Sequence, residues 1–197
     1  WEELKKQRNL EIKDWRKNGE HILICSQKVG DASLRGVNIL KWIRQTILQI
    51  RKITDRKIII RPHPTNRLDK TLIHSMPGDF ENVELSKNFI DKAIYTKAHS
   101  SGSDSFEKDL ENAWCVVTYS SLCAVESICN GIPTFTASKY SFAWPVSNHN
   151  LKLIENPKMP DREQWLYNLA YARWNRNEIE EGLAWLHLKK VYKNKLK

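Results

Sequence analysis

The sequence has no long apolar run and few of the residues that mark special protein classes. Its 197 residues include only 4 Cys, 7 Gly and 7 Pro. This composition excludes collagen-like and low-complexity chains, and no apolar run approaches the ~20 residues that cross a bilayer. The first residues, Trp1 to Arg8, have neither the apolar core of a signal peptide nor an initiating Met. We therefore expect a piece of a longer protein, folded as one ordinary domain around a real core.

Cysteine pairs and the common cofactor motifs are also absent. Cys25, Cys115, Cys123 and Cys129 lie in apolar stretches and form neither a CxxC pair nor a metal-ligand set. We expect buried thiols in a reducing cytoplasm. No GxGxxG, GxxxxGK[ST], GxSxG or HExxH motif occurs, which disfavours a dinucleotide cofactor, a P-loop enzyme, an α/β-hydrolase and a zinc protease. We expect no metal and no cofactor other than a bound substrate.

Positive charge is in excess and is unevenly distributed. The chain has 32 Lys and Arg against 23 Asp and Glu, a net charge of +9. Nine basic and two acidic residues lie between Lys41 and Lys70, and five lysines lie between Lys189 and Lys197. A basic face favours an anionic partner such as a phosphate, a nucleic acid or a membrane surface. Solvated helix faces and a soluble tail fit the same pattern.

Short apolar runs alternate with segments of helical spacing. The predicted strands are 21–26, 57–61, 82–85, 114–118 and 132–136, and the predicted helices are 1–17, 37–53, 122–130, 161–174 and 178–188. Strands that are apolar on both faces indicate a parallel sheet covered on both sides. We predict an α/β, Rossmann-like fold of about five strands with helices on both faces. The predicted organisation is a helix or linker over 1–18, one domain over 19–188 and a basic tail over 189–197.

Polar side chains follow three of the predicted strands. Gln27, Lys28 and Asp31 follow the first, Arg61, His63 and Arg67 the second, and Ser120 and Ser121 the fourth. In an open parallel sheet, ligands bind beyond the carboxyl ends of the strands, so we expect these residues to converge on one crevice.

Ser120 and Ser121 stand where a strand passes into a helix. Their hydroxyls and the free N–H groups of the first helical turn are suited to an anion such as phosphate; a serine there can equally be a plain helix cap. Glu126 lies one turn on, where a carboxylate can accept from ribose or sugar hydroxyls or can simply be a surface residue.

His63 is bracketed by prolines in the segment Arg61-Pro-His-Pro64, which confines its backbone and presents the imidazole rigidly at a strand end. A satisfied structural histidine is the alternative. Arg61 and Arg67 are suited to bidentate contact with phosphate oxygens.

These motifs, together with Gly131-Ile-Pro133 and a closing pair of helices, resemble the C-terminal, nucleotide-sugar-binding domain of GT-B glycosyltransferases. The likeness covers residues 19–188 and is greatest for the capsular-polysaccharide and Kdo-transferase group, which shares an HP motif and a serine pair with bacterial sialyltransferases. It implies a metal-independent transferase in which this half holds a CMP-, UDP- or GDP-linked sugar.

By that resemblance His63 contacts the nucleotide phosphate or base, Ser120 and Ser121 the phosphate, and Glu126 the ribose. The general base usually belongs to the N-terminal domain of such enzymes, which this chain lacks, so no catalytic residue is assigned. Gln27 and Asp31 are the candidates for a place near the chemistry.

Three other functions remain open for the sequence. The acceptor can be a glycan or, given the basic segments, modified phage DNA. A sugar-nucleotide 2-epimerase would share the fold and the site, and a non-catalytic nucleotide-binding module would share the site without turnover.

Overall fold

A computed structural model describes residues 1–63, 70–88 and 103–195 of the chain. These residues form two compact units. One comprises Trp1–Leu10 and Asp161–Lys197, and the other comprises Glu11–Pro160. The predicted domain over 19–188 therefore includes residues of both units.

The unit from Glu11 to Pro160 contains a five-stranded sheet. Its strands are β1 (His21–Cys25), β2 (Lys57–Arg61), β3 (Val83–Leu85), β4 (Ala113–Thr118) and β5 (Thr134–Thr136). They lie in the order β3-β2-β1-β4-β5, and every neighbouring pair is parallel. The predicted α/β, Rossmann-like class is confirmed.

Alternate side chains of the strands build a core on each face of this sheet. On one face, Ile22 and Ile24 pack with residues of α2 (Ile39–Arg51) and with Ile73 of α3 (Lys70–Ser75). On the other face, Leu23 and Cys25 pack with α4 (Ser103–Leu110) and with α5 (Cys123–Cys129). Helices therefore cover both faces, as predicted.

Helix α2 has the sequence features of a sheet-covering helix. The Asn38 side chain accepts a hydrogen bond from the Lys41 backbone N–H at 3.0 Å and so caps the helix. The fully buried side chains that follow, Ile39, Ile43, Ile47 and Ile50, recur at helical spacing and face the core. The opposite face of the helix is left to solvent.

The predicted helix over 1–17 is wrong beyond its first turns, because α1 spans only Glu2–Gln7. Asn9 then takes a left-handed φ of 48°, which a helix cannot continue through. Further along, the backbone N–H of Lys13 donates to Cys129 at 2.8 Å and that of Arg16 donates to Gly131 at 2.6 Å. This segment hydrogen-bonds to the end of α5 instead of to itself.

The other unit contains α1 with α6 (Glu163–Tyr171), α7 (Arg176–Glu180) and α8 (Leu183–Lys195). Arg8 joins its parts: the guanidinium donates to the carbonyls of Ala170 at 2.9 Å and Arg173 at 2.8 Å and pairs with Glu178 at 3.3 Å. Helix α8 runs on to Lys195, so most of the predicted basic tail is helical. None of the helices in the described ranges is long and apolar enough to cross a membrane.

Position 131 requires glycine both for its backbone conformation and for lack of space around it. Its φ is +76°, and an added Cβ would lie 2.0 Å from the Asp14 carbonyl oxygen. We expect Gly131→Ala to lower the free energy of unfolding in urea by about 3 kcal/mol or more. The alanine would be strained at this φ, and its Cβ would also force the Asp14 backbone to move. Gly30 has a φ of +75° and open space around it, so Gly30→Ala should cost about 1 kcal/mol. Equal losses for the two variants would contradict this account.

His21 makes stability depend on pH. Its side chain is buried at the start of β1, and burial lowers its pKa below 6.5, opposed by a hydrogen bond at the Asp109 carbonyl. The unfolded chain therefore binds more protons, so stability is fully present above pH 6.5 and is lost as the pH falls below it. Urea titrations from pH 7.5 to pH 5 should show a shallower loss for His21→Phe than for the parent chain. Parallel curves would show that His21 does not contribute.

Candidate functional site

The strand order changes direction beside β1, and this defines the candidate site. The chain builds β2 and β3 on one side of β1 and then returns to place β4 on the other side. In doubly wound sheets the loops at such a point separate and leave a crevice at the carboxyl ends of the strands. Here that point lies after Cys25 of β1 and Thr118 of β4, where a crevice is expected.

Gln27 and Ser120 link the two loops that leave this point. The Gln27 side-chain oxygen accepts from the Ser120 backbone N–H at 2.7 Å, and its NH₂ group donates to the hydroxyls of Ser120 at 3.1 Å and Ser33 at 2.9 Å. Gln27 is only 6% exposed. Its amide is used on both sides, so the loops after β1 and β4 are fixed to each other.

This bridge changes the predicted role of the serine pair. The Ser120 N–H is bound to Gln27. The Ser121 hydroxyl accepts from the backbone N–H of Cys123, the first residue of α5, at 3.2 Å. Both serines therefore have structural partners, and their contact with phosphate stays a prediction.

Lys28, Asp31 and His63 lie at the edge of the same crevice. The Asp31 carboxylate accepts from the Ser33 hydroxyl at 2.6 Å and from the Ser33 backbone N–H at 2.8 Å. These bonds lower the pKa of Asp31, and the charges of His63 and Lys28 lower it further. Lys28 and Asp31, in the loop after β1, thus lie near His63, which follows β2. A carboxylate with a lowered pKa is a weaker base, so Asp31 is suited to holding its loop.

Arg61 is buried rather than open to a ligand. Its guanidinium forms an ion pair with Asp109 of α4, and the two side chains are 9% and 2% exposed. The Ser86 hydroxyl donates to the same carboxylate at 2.7 Å, and the Asn88 amide donates to it at 2.9 Å. Arg61 therefore ties β2 and the loop after β3 to α4. Arg67, the other predicted phosphate ligand, lies outside the described residues.

Glu126 lies on α5 with its side chain in contact with solvent. Partial desolvation raises its pKa; the charge of Arg61 opposes this effect, and that of Glu107 adds to it. The contact of Glu126 with ribose remains a prediction.

Sequence reasoning missed the residues that hold the site residues in place. Asp109 and Ser86 received no role, yet Asp109 pairs with Arg61 and Ser86 donates a hydrogen bond to Asp109. Only Asp109 left a signal in the sequence: it lies three residues after Phe106 and next to Leu110, both of which pack in the core. A charge on the apolar stripe of a helix indicates a buried partner.

The described residues contain no group of three or more His, Cys, Asp and Glu side chains placed to hold a metal ion. Lys28, His63 and the serine pair instead bring ammonium, imidazole and hydroxyl groups to the end of the sheet at which the strand order reverses. Such groups can bind and orient an anionic, hydroxyl-bearing ligand. None of them is placed here as a nucleophile.

No protein-family model and no curated protein matches the chain. Among solved structures, it is similar to the Methanocaldococcus jannaschii UDP-GlcNAc 2-epimerase in complex with UDP-GlcNAc and UDP, with 18% identity, a TM-score of 0.45 and coverage of 87% of this chain and 49% of that one. It is also similar to two Thermosulfurimonas dismutans KpsC structures. For the β Kdo 2,4 transferase the identity is 12%, the TM-score 0.40 and the coverage 78% and 51%.

For the KpsC β Kdo 2,7 transferase the identity is 17%, the TM-score 0.41 and the coverage 80% of this chain and 47% of that one. The chain thus spans about half the length of each of these three proteins. The likeness is one of fold.

The buried Arg61–Asp109 pair should show the energetic signature of a desolvated ion pair. We expect Asp109→Leu to cost about 3 to 5 kcal/mol, because it leaves the guanidinium buried without its charge partner. Arg61→Met combined with Asp109→Leu should cost clearly less than Asp109→Leu alone. A double-mutant cycle by urea denaturation measures both effects, and additive losses would show that the pair is not coupled.

Proposed function

We propose that this chain binds the nucleotide-sugar donor of a metal-independent glycosyltransferase that acts on a polysaccharide or another glycan. The observation that carries the proposal is the Gln27–Ser120 bridge at the point where the strand order reverses. Nucleotides bind at such points in doubly wound sheets because the strand ends and loops leave room there for a phosphate-linked ligand. A bridge that fixes both loops prepares the crevice before the ligand arrives.

The groups around the bridge suit the parts of a nucleotide sugar. Lys28 and His63 supply positive or hydrogen-bonding groups for the phosphates, and Ser121 keeps a hydroxyl at the mouth of the crevice. Glu126 offers a carboxylate to ribose hydroxyls. Arg61 acts indirectly in this proposal, since its ion pair with Asp109 holds the end of β2 from which His63 projects.

The catalytic base is proposed to come from a second domain, as the GT-B resemblance implies. Asp31 is the acidic residue nearest to the expected chemistry, and its lowered pKa makes it a poor proton acceptor. We also propose a cytoplasmic location, because all four cysteines are free thiols.

Ligand binding tests the proposal directly. A thermal-shift panel of CMP, UDP, GDP and their sugars should give one nucleotide that stands out, since a ligand at about 100 times its Kd adds ~2.7 kcal/mol of stability. Conversion of a UDP-sugar without any acceptor would indicate a 2-epimerase instead of a transferase. No response to any nucleotide would contradict the proposal.

Two variants locate the bound nucleotide. His63→Ala, and Ser120→Ala combined with Ser121→Ala, should each weaken binding by about 1 to 3 kcal/mol, because ligand groups lose their partners. His74→Ala is the matched control, since His74 lies exposed on α3 and takes no part in the crevice. Affinity that is unchanged in both site variants would show that the nucleotide binds elsewhere.

A further inference from the structure

A groove of about 750 Å³ lies apart from the candidate site. Its walls are α2 and residues 149–152, and Val117 and Phe135 of the sheet form part of its lining. Along α2 it extends from Trp42 to Gln49, which at 1.5 Å per residue is about 10 Å, and it continues to Lys52 and Ile53 after the helix. This volume and length are those of a site for a small or extended ligand. None of the described residues predicted from the sequence as site residues lines it.

The charge of the groove has one sign. The described residues that line it include Lys52, His149 and Lys152, and none of them is acidic. The His149 ring stacks on Trp144 with centroids 3.4 Å apart, and its Nε2 lies 2.9 Å from the Trp144 carbonyl oxygen. A carbonyl only accepts, so Nε2 carries the proton and His149 is held in place. A basic lining with a fixed imidazole favours an anionic ligand.

The polar groups on α2 suit hydroxyls rather than a bare ion. Gln45 and Gln49 lie one turn apart on the exposed face of the helix, and both line the groove. Each amide can donate and accept at once, which matches neighbouring hydroxyls of a sugar ring. Trp42, half-buried one turn earlier, offers an aromatic face to the apolar side of such a ring. Amides, an aromatic ring and cations thus occur along one groove.

From this arrangement we propose that the groove is a second binding site, which takes a saccharide carrying a carboxylate or phosphate group. Its Trp42 end lies near the loop after β4: the Trp42 ring meets the Tyr119 ring edge-on with centroids 5.8 Å apart, and Tyr119 directly precedes Ser120. A saccharide that lies along α2 therefore ends close to the loop that carries the serine pair. A role for this site in holding the acceptor rests on the proposed function, whereas binding of the saccharide does not.

Calorimetric titration of the whole chain tests the proposal with four probes. Tetragalacturonate supplies carboxylates and glucose 6-phosphate supplies a phosphate, with maltotetraose and glucose as their neutral counterparts. We expect at least one anionic probe to bind about tenfold or more tightly than its neutral counterpart and to weaken as salt is added. The probe that binds identifies the anionic group. Failure of both anionic probes, or equal affinity for the neutral ones, overturns the proposal.

Variants place the bound saccharide in the groove. Lys52→Ala combined with Lys152→Ala should weaken the binding about tenfold or more, and Gln49→Ala should weaken it independently. All three side chains are exposed, so these changes leave the core intact. Lys41→Ala is the control, because Lys41 lies exposed on the same helix and outside the groove. Equal effects of the control and the groove variants would overturn the assignment.

Nucleotide binding, measured on the same samples, separates this proposal from the proposed function. We expect the groove variants to keep the nucleotide response of the parent chain. A nucleotide response without saccharide binding overturns the groove proposal alone. Saccharide binding without any nucleotide response supports the groove and contradicts the donor site.

Discussion

The central strand β1 pairs with a parallel strand on each side, and the rest of the larger unit depends on this arrangement. Parallel strands have no hairpin connections, so each must be joined by a crossover that packs on one face of the sheet. Because β2 and β3 lie on one side of β1 and β4 and β5 on the other, the crossovers cover both faces. The same arrangement puts the loop after β1 next to the loop after β4, where the polar residues of the candidate site gather.

The polar groups at this end of the sheet largely satisfy one another. Gln27 bridges to Ser120, Asp31 holds Ser33, and Arg61 pairs with Asp109. A buried donor or acceptor without a partner costs about 1 to 3 kcal/mol, so a crevice lined with polar side chains is stable only when most of them are paired. These bonds fix the loops at this end of the sheet relative to one another.

The groove along α2 depends on a different property of the fold. Helix α2 buries its isoleucines against the sheet, and the residues between them, Gln45 and Gln49 among them, are left on the surface. The irregular segment after β5 supplies the opposite wall, with His149 stacked on Trp144. The Trp42–Tyr119 contact joins the α2 wall of the groove to the loop after β4. Strand β4 therefore contributes to both surfaces, with Val117 in the groove and the serine pair just after the strand.

The sequence by itself determined the strands, the α/β class and the loops in which polar residues follow strands. Those features depend on local patterns, namely apolar runs of strand length, helical spacing and turn residues such as Gly131. Local patterns failed where a partner distant in sequence decides the outcome. The segment after Gln7 is not helical, because its backbone hydrogen-bonds to the end of α5. The Lys13 and Asn130 side chains form a further hydrogen bond between the same two segments, across a sequence separation of 117 residues.

Which polar side chains pair with one another within the protein depends on the tertiary structure. Arg61 and Asp109 are 48 positions apart and Gln27 and Ser120 are 93 apart. No local spacing predicts such a pair, because it forms only when the crossovers bring strand ends and helices together. The residue types after each strand could be read from the sequence. Whether each one binds a ligand or a neighbour depends on what the folded chain places beside it.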